Sequence, residues 1–406
     1  MIFNKIIICF LFLIISPLSL TEELILKNAK IHTASDRGTV ENTDILIRDG
    51  KIIRIGKNLN SSSAEVKDLT GKVISPGLIA PLSQLGIVEI ELVPETRDDR
   101  SDIYSAGLTI DSAFNPSSTL IPYNLTGGIT LSLTSPTSSG LFSGLTSVFS
   151  LSGSLEDSLI SSNIALSANI SGGEDSKAAK IQLLEDSLDL SSLVSSSFKG
   201  DLDRLVPEDV NYSIRDLAAL KKVMDKEIPL VVRANSASDI LTLIKLAEKK
   251  DINLIINGAE EGWRVAKQLA KAKIPVILRP IDNIPNSFNE LGSRLDNAYL
   301  LHQSGVKILI ASHETHNSYL SRQGAGIAVS YGLPWEEALK GLTSNVADVF
   351  KLTKRGSIKS GHVADIVIWS GDPLEVTTFV EEVYISGELM PTKNRSMRLK
   401  DRYISK

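Results

Sequence analysis

Five histidines are spread over 406 residues: His32, His302, His313, His316 and His362. Only His313 and His316 lie close together, flanking Glu314 in "SHETHN" (312–317). Imidazoles spaced His-x-x-His could share a divalent metal if carboxylates such as Glu89, Glu91 or Glu260 completed the set. The competing reading is a polar loop that caps the strand before it. His313 and Glu260 are also the candidates for acid–base catalysis. His32, His302 and His362 read as structural residues of a β unit, a helix end and a turn. The chain has no phosphate-cradling glycine motif, no serine nucleophile elbow and no nucleic-acid module.

The elements that would position these residues follow from the hydropathy pattern. Apolar runs of five to eight residues recur at 127–136, 163–170, 229–235, 253–258, 275–280 and 307–312, and read as buried parallel strands. Amphipathic helical patterns separate several of them, at 213–227 with Ser213 as N-cap, 236–250 and 260–273. With a first strand at 73–80 there are seven strands, and an eighth is expected between 141 and 160. Strand–helix alternation of this kind predicts an α/β fold, a TIM-type (β/α)8 barrel. His313 and His316 would then sit just past the last strand, on the face where such barrels place their sites.

The two ends of the chain have a different texture. "LILKNAKIHTA" reads as strand, Asn-containing turn, strand. "TDILIRDGKIIRIG" reads as a hairpin about an Asp49-Gly50 type I′ turn, and "KDLTGKVISPG" repeats the theme about Thr70-Gly71. Short strands with Gly turns return in "RGSIKSGHVADIVIWSGDPLE" and "VEEVYISGELM". The expectation is a small composite β-sandwich built from residues 21–76 plus 358–406, with the barrel, 77–357, inserted in it. Before both comes "MIFNKIIICFLFLIISPLSL", one Lys followed by an apolar run too short to span a bilayer comfortably, which has the pattern of a signal peptide over residues 1–20. The protein is therefore expected to cross the inner membrane and reside in the periplasm. Its single cysteine, Cys9, lies in that run, so a cleaved chain would hold neither disulfides nor thiolate metal sites. A net charge of -5, from 43 basic against 48 acidic residues, gives no whole-protein attraction to nucleic acid or acidic lipid.

Several segments resemble the amidohydrolase superfamily in its imidazolonepropionase-like branch. "LILKNAKIHT" and "ILIRDGKIIRIG" resemble the opening β unit, and "LTGKVISPGLI" the entry into the first barrel strand. "EEALKGLTSNVADVFKL…RGSIKSGHVADIVIW" resembles the last barrel helix and the return to the β unit. "AFNPSSTLIPYNLTGGITLSLTSP" and "HNSYLSRQGAGIAVSYGLPWEEAL" resemble one subgroup. The resemblance implies hydrolysis of C–N bonds at one or two divalent metals. A His-x-His on the first strand would hold them, with a His on each of the fifth and sixth strands. An Asp on the eighth would also act as base toward the metal-bound water.

At the matching positions this chain has Leu82 and Gln84, Arg233, Asn257 and His313. Leucine cannot ligate, and glutamine is a weak neutral donor. Arg233 would place a permanent positive charge where the metal belongs, able to grip a carboxylate in a bidentate fork but unable to make hydroxide. Arg279, closing "VILRP", would face the same mouth, with Asn235, Asn257, Glu260 and Asn317 adding polar contacts. The expectation is thus an amidohydrolase-like protein with weak or no hydrolase activity that binds a small-molecule ligand without a cofactor. It would act as a homo-oligomer or paired with a metal-competent paralogue, and would not bind nucleic acid. The alternative is an active periplasmic amidohydrolase with zinc or another divalent metal in a remodelled site at His313 and His316.

Overall fold

Both ends of the chain feed one sheet. The computed structural model describes residues 23–171, 176–193, 212–282, 284–312 and 316–404, so the N-terminal apolar run, His313 and the tail of the Ser-rich stretch at 189–200 fall outside the described residues. From the N-terminal side come β1 (Glu23–His32), β2 (Thr39–Arg48), β3 (Lys51–Gly56), β4 (Glu65–Asp68) and β5 (Val73–Pro76). The middle of the chain supplies β6 (Leu78–Ser83), β7 (Ile129–Thr134), β8 (Phe142–Ser150), β9 (Leu159–Asn169), β10 (Leu230–Ala234), β11 (Leu254–Gly258), β12 (Val276–Leu278) and β13 (Ile308–Ile310). Near the C-terminus lie β14 (Ile366–Trp369), β15 (Val380–Ile385) and β16 (Glu388–Leu389). The first sheet has the order β16-β15-β14-β5-β1-β2-β3 with β4 also on β1, so a C-terminal block and an N-terminal block of strands join at the β14–β5 pair.

Asp49 and Gly50 both adopt positive φ, 48° and 72°, as a type I′ hairpin turn requires, and β2 and β3 pair antiparallel about them. Two expectations fail here for local reasons. Asn28 does not break the strand into two. It takes φ 59° as a bulge inside β1, its N–H and side-chain amide satisfied by the carboxylates of Asp44 (2.9 Å) and Asp68 (3.0 Å). The Thr70-Gly71 turn does not close a hairpin either, because β4 and β5 both run parallel to β1 rather than pairing with each other.

The second sheet has eight strands in the order β6 to β13, rolled into a nearly closed barrel with no backbone ladder between β13 and β6. The eighth strand lies where the sequence required it, at 142–150, but it is antiparallel to both neighbours. The short connections force this: a parallel return needs a crossover of a dozen or more residues, and the β7–β8 and β8–β9 loops are too short for one. The barrel is thus a TIM-type barrel with one reversed strand. Helices follow the later strands. Ile214–Met224 starts on a capping box in which Ser213 and Asp216 satisfy each other's backbone N–H, and Ala237–Lys250 is capped by Ser236. The third expected helix divides into a 3-10 turn at Gly262–Val265 and a short helix at Ala266–Lys271.

Alternation along the strands sorts the barrel's side chains into two apolar layers. Ile79, Leu131, Val231, Ile255, Ile277 and Leu309 fill the lumen, closed off by Val346, Ala347, Phe350 and Leu352. Leu78, Val232, Ile256, Leu278 and Ile310 point outward to the helices. Trp369 joins sandwich to barrel. It is fully buried, donates to Ser75 Oγ at 2.8 Å, and lies so close to Gly128 that an added Cβ would meet its ring at 2.5 Å. Arg322 sits 5.3 Å from the same ring and donates to the carbonyls of Pro373, Glu375 and Thr378. His32 is a second joint. It is buried, its ring centroid is 4.2 Å from that of Trp335, and its Nδ1 is 2.7 Å from Thr39 Oγ1. The chain ends on a helix the sequence pattern did not indicate, Arg395–Ile404, which has no buried residue.

Trp369→Ala is expected to cost about 3–5 kcal/mol of stability in chemical denaturation, the range for removing a large buried aromatic. His32 gives a pH dependence. Burial, with help from Lys30, pushes its imidazole down from 6.5 to about 4. Between those values the unfolded chain binds the proton and the folded chain does not, so stability falls as pH drops through that window. Denaturation midpoints of His32→Phe measured from pH 7 to 4 should show a shallower decline than the parent chain.

Candidate functional site

Alternation also decides what stands at the top of the lumen. Val231, Ile255, Ile277 and Leu309 face inward, so the residues two further along, Arg233, Asn257, Arg279 and Ala311, face inward at the C-terminal mouth. Arg233 pairs with Asn257 in register across β10 and β11, which brings them side by side. Together with Leu82 and Gln84 they line a cavity of about 310 Å3, whose wall includes Ser135, Thr137, Ser167, Asn169 and Ser312. All five positions that the sequence placed at the mouth from strands one, five, six and seven therefore meet in one cavity. Strand one reaches it irregularly: Leu82 takes φ 54°, and the register with β7 shifts between Ala80 and Ser83, so regular strand alternation does not extend to Gln84.

The cavity is rich in donors and poor in acceptors. Arg279 Nη2 donates to Asn257 Oδ1 at 3.0 Å, which leaves the Asn257 amide N–H groups for other partners. Nε and Nη1 of Arg279 are shut off from solvent and have no hydrogen-bond partner. Burial and then the neighbouring Arg233 push the Arg279 guanidinium down to about 10, against the pull of Glu260, Asp282 and Glu290. The Arg233 side chain has neither hydrogen bond nor ion pair among the described residues. Two buried donors left unmade cost roughly 1–3 kcal/mol each, and the buried Glu260 Oε2 beside Arg279 is likewise unpartnered.

The acids that partly offset Arg279 lie behind it. Glu260 is buried beside Arg279 in a void of about 10 Å3, with Gly258, Pro280 and Asn297. Its Oε2 has no partner, and burial, opposed by Arg279, raises its pKa above the usual carboxylate value. Asn235 is also buried and donates to Glu290 Oε1 at 2.5 Å. Gly258, at φ 109°, makes room for this packing, since a Cβ there would stand 2.1 Å from Asn235 Oδ1. Glu260 and Asn235 thus belong to the wall behind the cavity, not to its lining as the sequence suggested.

His313 lies outside the described residues. His316 is exposed, with its carbonyl accepting from Asn124 Nδ2 at 3.2 Å. Asn317 is half-buried, and neither of these two lines the cavity. Glu91 does line it, whereas Glu89 is turned to Thr119 Oγ1 at 3.2 Å. Sequence reasoning missed Arg97 and Arg100, which enter the wall from the loop after β6. The charge-dense "ETRDDR" (95–100) was the available signal. Arg97 is committed to buried Asp99 through a two-pronged fork at 3.0 and 2.9 Å. Burial pushes Asp99 up, but the Arg97 fork and Thr137 outweigh it and hold the carboxyl below its usual value. The serine wall was missed as well: Ser135 and Ser167 hydroxyls are 3.0 Å apart, and Thr146 is 3.3 Å from Ser167.

The donor set does not suit a divalent cation. Leu82 offers no ligand atom, Gln84 and Asn257 offer neutral amides, and Glu91 is a single carboxylate among four arginines, Arg97, Arg100, Arg233 and Arg279. Among the described residues no three His, Cys, Asp or Glu side chains gather where they could hold a metal ion. A larger cleft of about 460 Å3 lies elsewhere, bordered by Lys351, Lys354 and Lys359, but those lysines are exposed, and exposed lysines make a poor case for a specific site.

Comparison with known proteins agrees with this architecture. Residues 312–390 match the model of the amidohydrolase family. A D-hydantoinase of Geobacillus stearothermophilus is 41% identical over 102 residues, covering 25% of this chain and 20% of that protein. The matches to curated relatives are partial, spanning 10% to 20% of the relatives' length. The structural likeness is more extensive. An amidohydrolase from Thermotoga maritima MSB8 superposes with a TM-score of 0.79 and 27% identity over 90% of this chain and 99% of that one. A prolidase complexed with N-methylphosphonate-L-proline superposes at 0.58 with 15% identity over 91% and 99%, a likeness of fold alone. The barrel between two chain ends that share a sheet, the family match over residues 312–390 and the Thermotoga structure make this chain similar to the amidohydrolase superfamily in fold and in part of its sequence.

Proposed function

We propose that this chain is a ligand-binding member of the superfamily, of its imidazolonepropionase-like branch, in which the barrel mouth holds an anionic small molecule in place of the catalytic metal. The observation that carries this reading is the Arg233 side chain, without hydrogen bond or ion pair among the described residues, beside Arg279 in one cavity. Guanidinium forks suit carboxylate and other multi-oxygen anions, and the serine and asparagine wall adds neutral donors. Hydrolysis by a metal-bound hydroxide is weak or lost in this reading, because an arginine cannot generate the nucleophile. The N-terminal apolar run supports secretion across the inner membrane to the periplasm. There the protein would act as a homo-oligomer or beside a metal-competent paralogue. The alternative site at His313 and His316 gains no support from the exposed position of His316.

Binding tests the reading directly. Acetate, citrate and inorganic phosphate titrated calorimetrically into the full chain near pH 7 should include at least one that binds saturably. Arg233→Met should weaken that binding roughly tenfold or more, the usual worth of a charge-assisted hydrogen bond. Absence of binding for all three, or binding indifferent to Arg233, would overturn it. The ligand-free Arg233→Met chain carries a second expectation. Removing one of two like charges should raise its stability by about 1–2 kcal/mol in thermal or urea unfolding. A loss of stability would instead mean that Arg233 is a structural residue.

A further inference from the structure

Helix Arg395–Ile404 has no buried residue, and its side chains divide into two halves. Leu399 and Tyr403 stand one turn apart, and Met397 and Ile404 stand two turns apart. At about 100° per residue both pairs fall within one half of the helix, with Ser396 and Lys400 between them. Arg395, Arg398 and Arg402, with Asp401, take the other half. The four apolar side chains are 36% to 72% exposed. Charge is concentrated in the same place. Residues 393–406 hold six basic side chains and one acidic, a local +5 in a chain whose net charge is -5. The whole-chain balance conceals this patch.

The helix forms without tertiary packing. Asn394 closes its N-terminus, its Oδ1 accepting from the Met397 N–H at 3.0 Å, and Lys393 pairs with Asp401. A ten-residue helix held by so little is marginal in water, and burial of its apolar half would stabilise it.

We propose that this helix lies on an anionic lipid surface, with its apolar half in the boundary between head groups and acyl chains and its arginines against the head-group charges. A strong contrast between two halves, low overall hydropathy and a basic polar side are the marks of helices that lie in that plane. The partner is chosen by the need to satisfy both halves. Nucleic acid would engage the cations and leave Met397, Leu399, Tyr403 and Ile404 in water. A second copy of this chain would cover the apolar residues but bring two cationic segments together. An anionic lipid surface covers the first set and neutralises the second. Lys400, between the apolar residues, has a stem long enough to carry its ammonium back to the head groups. The inference is independent of what the barrel mouth binds.

The two halves are tested separately. Cys9 is the chain's only cysteine, so Cys9→Ser with one new cysteine places a single environment-sensitive fluorophore. It is attached at Leu399→Cys in the apolar half or at Arg398→Cys in the basic half; both positions are exposed, so folding of the body is not at stake. Each full chain is titrated with vesicles of mixed phosphatidylglycerol and phosphatidylcholine, and with vesicles of phosphatidylcholine alone. With anionic vesicles the label at 399 should shift to the blue and lose access to acrylamide, while the label at 398 stays accessible. With neutral vesicles neither should respond. Each basic side chain near an anionic surface is worth roughly fivefold in partitioning, so adding Arg395→Gln and Arg402→Gln should raise the lipid needed for half the response about 25-fold. No response at 399, an equal response to neutral vesicles, equal burial of both labels, or indifference to the arginine substitutions would each overturn the proposal. A label at 399 that is shielded before lipid is added, in a chain that sediments as a dimer, would make the helix a contact between copies and overturn it as well.

Discussion

Two guanidinium groups confined at the top of one apolar lumen set the terms for the rest of the site. Like charges that share one cavity repel, and Arg233 destabilises the charge on Arg279. The barrel meets that cost on one side only, with Glu260, Asp282 and Glu290 behind Arg279. On the other side lies a cavity with amides and hydroxyls, two further arginines, Arg97 and Arg100, and one acid, Glu91. The fold is strong enough to hold this imbalance because it is anchored elsewhere, in the apolar layers inside and outside the strands and at the Trp369 joint with its Ser75 and Gly128 contacts. Unsatisfied donors supported by a well-packed scaffold are typical of a binding site waiting for its partner.

The same geometry explains why a change of chemistry at the mouth need not unmake the barrel. A residue at the inward mouth position of a strand touches mostly its mouth neighbours, while the inward positions below it carry the packing. Val231, Ile255 and Ile277 do that work under Arg233, Asn257 and Arg279. Ligand chemistry at the mouth can therefore change while the strands keep their register. The hydrolytic chemistry of the superfamily and the architecture that displays it are separable properties.

Much of this was legible in the sequence. The apolar runs with period-2 termini gave the strands, and the capping residues Ser213 and Ser236 gave two helices, because these signals are local. The inward position of Arg233, Asn257 and Arg279 was readable for the same reason, since it depends only on counting along a strand. What was not legible depended on the third dimension. The reversed direction of β8 is set by connection length and neighbours, not by its own residues. Asn28 reads as a turn until Asp44 and Asp68 are seen to satisfy it within a strand. Glu260 lies near the mouth in sequence, yet it faces the space behind Arg279 because Gly258 turns the chain at the end of β11, and Asn235 is turned to Glu290. Arg97 and Arg100 were hidden by their loop, whose return to the cavity no periodicity records.

The central claim is that cationic side chains have taken the place of a catalytic metal ion, and metal stoichiometry tests it most directly. The chain would be purified after growth with zinc, manganese and iron present, dialysed against each metal, and analysed for elemental content while folded and monodisperse. The expected result is no stoichiometric metal, with any residual content removed by dialysis and unaffected by substitution of Arg233 or Arg279. One or more tightly held metal ions per chain, retained through dialysis and displaced only by chelation, would contradict it and return the site to metal-assisted hydrolysis.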